Sequence, residues 1–196
     1  CENISMTGFT AGHTKEPGYC VGGVVYLDGC ATVSIRDVGL YGCGVTGVSA
    51  DNCTDLTVAN SDIYECSYNG IQVLNSTGVN VVNCRLYDLG KNEEWEASGV
   101  FNLVSSSDIA ISDCEIYGNL SQYFVRSSGV DEVVLKNNVF RDNWVKNTAF
   151  GTFGNFITLD GNTFEDCLIP QWFENGCGAV DPEGNTITED MMNGID

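Results

Sequence analysis

Six segments of this chain align without gaps over eight residues: Arg36 to Cys43 (RDVGLYGC), Ala59 to Cys66 (ANSDIYEC), Val82 to Leu89 (VNCRLYDL), Ser112 to Asn119 (SDCEIYGN), Lys136 to Asn143 (KNNVFRDN) and Asp160 to Cys167 (DGNTFEDC). Their equivalent positions, Val38, Ser61, Cys84, Cys114, Asn138 and Asn162, are spaced by 23, 23, 30, 24 and 24 residues. Ahead of each segment stands a short apolar alternation, with inward pairs Val33/Ile35, Leu56/Val58, Val79/Val81, Ile109/Ile111, Val133/Leu135 and Ile157/Leu159. Period-two alternation means a strand with one buried face. A further strand follows a glycine at Gly23-Val24, Gly47-Val48, Gly70-Ile71 and Gly99-Val100. A unit this short cannot bury its own apolar face, so successive units must stack as coils of a solenoid. The frame and helical stretch of a leucine-rich repeat are absent.

Stacking turns equivalent positions into columns, with neighbours about 4.8 Å apart at the strand spacing. Leu40, Ile63, Leu86, Ile116, Phe140 and Phe164 make an apolar column for the core. Asp37, Asn60, Asn83, Asp113 and Asn137 make a polar column at a turn, where stacked amides satisfy one another. Asp62, Arg85 and Glu115 alternate in sign, as surface ion pairs between coils would. Tyr41, Tyr64, Tyr87 and Tyr117 form a stripe that is either a sugar platform or a self-stacked ladder. The ten cysteines largely follow the repeat: Cys30 with Cys53, Cys84 with Cys114, Cys43 with Cys66 and Cys167. That placement suits small buried fillers, and Cys20 and Cys177 lie outside the columns.

Runs such as VNVVNCRLYD and VVLKNNVFRDN resemble the right-handed parallel β-helix repeat of the pectate-lyase-like superfamily, over roughly residues 24 to 167. The resemblance implies an all-β fold, a right-handed parallel β-helix solenoid of about seven coils. Residues 1–175 are expected to form it, and 176–196 a tail or partial cap. It does not by itself choose a function, because the fold hosts lyases, hydrolases, epimerases, esterases, adhesins and scaffolds. Cys1 precedes Ile4 by the same three residues that separate Cys30 from Val33. The chain is therefore expected to begin inside a coil and to share a longer polypeptide with other domains.

The extra residues are concentrated at one corner: Ala11 to Gly22, Gly90 to Ser98, Trp144 to Gly154 and Leu168 to Asn175. Insertions on one side of a solenoid commonly mark its binding face. All three tryptophans and the single histidine fall in them. The residues expected to bind ligand are His13, Glu16, Tyr19, Glu94, Trp95, Trp144 and Trp172, with Glu93, Glu96 and Glu174 nearby. Aromatic rings beside carboxylates suit sugars, whose faces stack on rings and whose hydroxyls donate to acids. The competing reading has the tryptophans folding back over the core.

A formal charge of -19, from 27 acidic and 8 basic residues, excludes nucleic acid as a partner and disfavours anionic membranes. No apolar run reaches the length of a membrane span. A uronate lyase of this fold would pair Ca²⁺ with a basic residue, and only Arg126, Lys136, Arg141 and Lys146 lie near one another in sequence. The polygalacturonase-like and epimerase-like signatures are absent. Glu65 with Asp88, and Asp142 with Asp166, share columns. Each pair could act as acid and base or hold Ca²⁺; no other cofactor is implied. The leading expectation is a non-catalytic β-helix domain of a larger secreted or cell-surface bacterial protein, presenting a glycan- or protein-binding face. The alternative is a carbohydrate-active enzyme, a polysaccharide lyase or glycoside hydrolase, working at the loop corner.

Overall fold

A computed structural model describes residues 1–13, 22–42, 46–90, 97–153, 156–174, 178–180 and 185–187. Within them the chain winds through three parallel sheets. The first sheet stacks Glu2–Thr7, Ala31–Arg36, Thr54–Ala59, Thr77–Val82, Ser107–Ser112, Val133–Lys136, Phe156–Asp160 and Gly178–Val180. The second stacks Thr10–His13, Gly39–Gly42, Asp62–Tyr64, Arg85–Tyr87, Glu115–Tyr117, Val139–Arg141, Thr163–Glu165 and Thr186–Ile187. The third stacks Gly23–Asp28, Thr46–Asp51, Asn69–Leu74, Ala97–Val104 and Leu120–Ser128, then splits into Trp144–Val145 and Phe150–Phe153. This is a parallel β-helix of seven coils with the strands of an eighth begun. The described residues contain no helix. The stacking continues past residue 175, because Ala179 pairs with Ile157 and Ile187 with Phe164.

The register reproduces the sequence columns. Leu40, Ile63, Leu86 and Ile116 are fully buried, and Phe140 and Phe164 continue them with rings stacked at 4.8 Å. Burying each such side chain is worth about 1.5–3 kcal/mol. The tight corner between the first and second sheets holds a second inward column that satisfies the turn backbone. The amide of Val38 donates to Ser61 Oγ, that of Cys84 to Cys114 Sγ, that of Cys114 to Asn138 Oδ1 and that of Asn138 to Asn162 Oδ1. Asn138 Nδ2 also donates to the Ile111 carbonyl and Asn162 Nδ2 to that of Leu135. Serine, cysteine and asparagine thus do one job here: a small side chain accepts the amide of the coil before it.

The turns require left-handed backbone. On the same corner Asp37, Asn60, Asn83, Asp113 and Asn137 have φ between 50° and 54°. Asx residues tolerate that region through local hydrogen bonds. Asn60 Nδ2 donates to Asp37 Oδ1, Asn83 to Asn60 and Asn137 to Asp113. The corner between the second and third sheets is also left-handed, at Glu65, Asp88, Asp142 and Asp166.

Candidate functional site

Two outer faces of the helix border the loop corner, and they differ in kind. The second sheet carries the columns foreseen from the repeat. Arg85 grips Asp62 with two hydrogen bonds of 2.7 and 2.6 Å. Arg141 reaches Glu115 at 3.9 Å and Asp142 at 3.4 Å. The tyrosines stack with centroids 5.4, 5.0 and 4.9 Å apart and planes within 12° of parallel. Their ring faces are turned toward one another, so edges and hydroxyls meet the solvent. One end of the stack lies over Gly12, where a Cβ would meet the Tyr41 ring at 2.6 Å, and the other under the Arg141 guanidinium at 4.1 Å. The stripe is therefore a closed ladder, not a platform on which a sugar could lie flat. Burial first, with Asp62 and the neighbouring tyrosines adding to it, pushes the Tyr87 phenol up to about 12. Beside this ladder runs an open groove of about 770 Å³, bordered by Asn60, Asn83, Asp62, Arg85, Tyr64 and Tyr87.

The third sheet behaves differently. Its outward column reads Tyr26, Ser49, Gln72, Asn102, Arg126 and Gly151. No residue type repeats, and the polar atoms do not satisfy one another. Asn69 is fully buried; its Nδ2 donates to Gln72 Oε1 at 3.2 Å, yet among the described residues its Oδ1 accepts nothing. Asn102 Oδ1 is buried and equally without a donor. Arg126 is half-buried and, among the described residues, joins no salt bridge. Tyr123, three residues before it, covers Gly151 with its ring and donates its hydroxyl to Glu174 at 3.2 Å. Burial and the Glu174 carboxylate raise the Tyr123 phenol.

The expected ligand residues are only partly brought together. Glu16, Tyr19, Glu94 and Trp95 lie outside the described residues. His13 closes a strand of the first coil, in register with Gly42, while Trp144 opens a strand of the sixth, between Leu120 and Leu168. They share a corner but stand five coils apart, roughly 24 Å at the strand spacing. Trp144 is 54% exposed, with Lys146 Nζ at 5.7 Å from its ring centre. Trp172 instead packs on the core, edge-on to Phe164 at 4.9 Å and stacked beside Phe150 at 6.4 Å. Trp172 thus folds back over the core as the competing reading has it, and Trp144 does not.

The remaining chemical candidates disperse. Lys136 pairs with Asp160 on the first sheet at 2.8 Å, Arg141 lies on the second sheet and Arg126 on the third, so these three basic residues form no cluster. Glu65, Asp88, Asp142 and Asp166 occupy left-handed turns, where their backbone amides donate to the next coil in three cases. Among the described residues no three His, Cys, Asp or Glu side chains converge as a metal centre requires. The third-sheet column was missed in sequence because its steps of 23, 23, 30, 24 and 25 follow the repeat to within one residue while its residue types do not.

A family model described as a right-handed beta helix region matches residues 22–194. No curated protein matches the chain. Among solved structures, the gp42 tailspike of Acinetobacter phage AS12 superposes with a TM-score of 0.60 at 16% identity, over 83% of this chain and 34% of its own. The enzymatically active domain of bacteriophage CBA120 tailspike protein 2 gives 0.59 at 8% identity, over 89% and 40%. Pectate lyase Pel9A gives 0.57 at 12% identity, over 96% and 58%. At these identities the likeness is one of fold, and the chain spans a third to three-fifths of each relative's length.

Proposed function

The chain belongs to the right-handed β-helix family, and from that premise we propose that it is a non-catalytic, glycan-binding domain of a longer secreted or cell-surface bacterial protein. The ligand lies across the outer face of the third sheet and the adjoining corner that exposes Trp144. One observation carries this reading: the buried oxygens of Asn69 and Asn102, without a donor among the described residues, on a face that also holds Gln72 and an Arg126 that joins no salt bridge among them. A buried acceptor without a donor costs about 1–3 kcal/mol. A sugar hydroxyl supplies the missing donor once the side chains that cover these oxygens move aside, Arg126 donates to ring or hydroxyl oxygens, and the Trp144 ring offers an apolar face. The occurrence of this fold in a pectate lyase and in phage tailspikes is consistent with a carbohydrate partner and an extracellular setting.

The reading as a carbohydrate-active enzyme has one observation in its favour, the contact of Glu174 with Tyr123 beside Arg126. One experiment separates the two. Titrate the protein with a panel of plant and bacterial polysaccharides and size the products. Saturable binding without chain shortening is expected, with Trp144→Ala weakening it by about 1–3 kcal/mol, as aromatic contact residues do. Shortened chains whose formation is lost in Glu174→Gln would establish the enzyme. Absence of binding to every member would remove the glycan reading.

A further inference from the structure

Cys84 and Cys114 have no part in the proposed glycan face and, like Cys30 and Cys53, they share a column on adjacent coils. They follow one another in the column of the tight corner, Cys84 on the fourth coil and Cys114 on the fifth, and the Cys84 amide donates to Cys114 Sγ at 3.4 Å. Each is about 1% exposed, yet Cys84 borders the open groove of the second sheet. Equivalent residues on adjacent strands lie about 4.8 Å apart, inside the roughly 4.4–6.8 Å that a disulfide spans between Cα atoms. Cys114 Sγ already leans toward the fourth coil, toward the carbonyl of Val81 at 3.8 Å. Cys84 Sγ leans the other way, toward the Val58 carbonyl at 3.5 Å, and also contacts the Val82 carbonyl at 3.4 Å, so closing the pair requires rotation of the Cys84 side chain away from these two weak contacts.

We propose that Cys84 and Cys114 form a dithiol oxidation site that closes into a disulfide between the fourth and fifth coils when a low-molecular-weight disulfide reaches the groove. In the first step the Cys84 thiolate attacks one sulfur of the reagent, forming a mixed disulfide and releasing one reagent thiolate. In the second the Cys114 thiol loses its proton to solvent and attacks Cys84 Sγ, releasing the second reagent thiol. Two protein thiols are oxidised and one reagent disulfide is reduced to two thiols, so electrons balance. The order follows from geometry, because only Cys84 borders the groove. It also agrees with the electrostatics: the neighbouring Cys114 side chain lowers the titration of Cys84, while the Cys84 side chain and burial raise that of Cys114. The bridge ties the ends of a segment of 30 residues that includes the insertion at Gly90 to Ser98.

The test treats the native protein with oxidised glutathione, blocks the remaining thiols and maps the peptides. The wild type should accumulate a Cys84–Cys114 bridge and unfold at a higher temperature. Cys114→Ser should stop at a glutathione adduct on Cys84, and Cys84→Ser should give neither adduct nor bridge at this corner. Serine is a native occupant of the same column at Ser61, where its Oγ accepts the Val38 amide, and circular dichroism checks that both variants keep their strands. Glutathionylation of the exposed Cys1 with both corner thiols unmodified would overturn the proposal. So would a bridge confined to Cys30 and Cys53, or Cys114 reacting as fast in Cys84→Ser as Cys84 does in Cys114→Ser. The glycan reading stands or falls separately, since none of these readouts involves a sugar.

Discussion

The outer face of the second sheet and that of the third are made from the same repeat, yet one is closed on itself and the other is not. On the second sheet, like sits on like or on its opposite: tyrosine on tyrosine, Arg85 on Asp62, Arg141 at the end of the stack. On the third, Gln72, Asn102 and Arg126 follow one another with atoms left over. A column that satisfies itself has little left to offer a ligand. A column that breaks the repeat bears an energetic cost that a ligand can relieve. In a solenoid, regularity therefore marks structure, and irregularity at a conserved spacing marks a place where something else is to fit.

The comparison has an interior reference. Phe140, buried beneath the second sheet between Phe124 and Phe164, should cost about 4 kcal/mol as Phe140→Ala in denaturant unfolding; a much smaller loss would mean that the inward register is misplaced. Trp172→Ala should cost about 2 kcal/mol, less than a full core deletion because the ring is half-buried. Trp144→Ala should shift stability by no more than about 0.5 kcal/mol, as exposed positions do. Equal effects from the two tryptophans would erase the distinction between a packed ring and a presented one.

Within the ladder, Tyr87→Ala removes two stacked contacts and should cost about 1.5 kcal/mol, with glycan binding unchanged. A large drop in affinity would reopen the platform reading. The ladder should also be sensitive to alkali. The Tyr87 phenol titrates near 12 in the folded chain, above its ordinary value of 10.0, so the folded state holds its proton more tightly. Its contribution is full below pH 10 and is lost as pH rises toward 12. Unfolding followed by tyrosinate absorbance should show that loss in the wild type, and Tyr87→Phe should lack its share.

The smallest stability change is expected on the third sheet. Asn102→Leu removes an unsatisfied oxygen and should leave stability within about 0.5 kcal/mol or raise it, while weakening glycan binding. Loss of stability with unchanged binding would place Asn102 among structural residues and sink the third-sheet site.

The fold was legible because two signals of different origin coincide. The alternation at Val33/Ile35 and its successors fixes which face is inward, and the constant spacing of Leu40, Ile63 and Leu86 fixes which residue lies on which. The site was less legible. That Tyr64 stacks on Tyr87 follows from spacing, but whether rings turn faces or edges outward depends on side-chain torsions that no pattern encodes. The positions of His13 and Trp144 give their common corner but understate the five coils between them. Trp172 looked like Trp144 in sequence; the difference is that Phe150 and Phe164 leave a hydrophobic seat that Trp172 takes and Trp144, exposed, does not.

The Asx ladder of the first corner also sets a chemical clock. Asn60 donates a hydrogen bond from Nδ2 to Asp37 and accepts one at Oδ1 from Asn83. If its side-chain amide is hydrolysed, the donor becomes a second carboxylate facing the first at a turn, and the rung loses its bond as it gains a charge. A protein already at -19 then ages into ever more acidic isoforms. Each is loosened at the coil where the ammonia was lost, and shelf life is governed by the same residues that let the chain turn its corners.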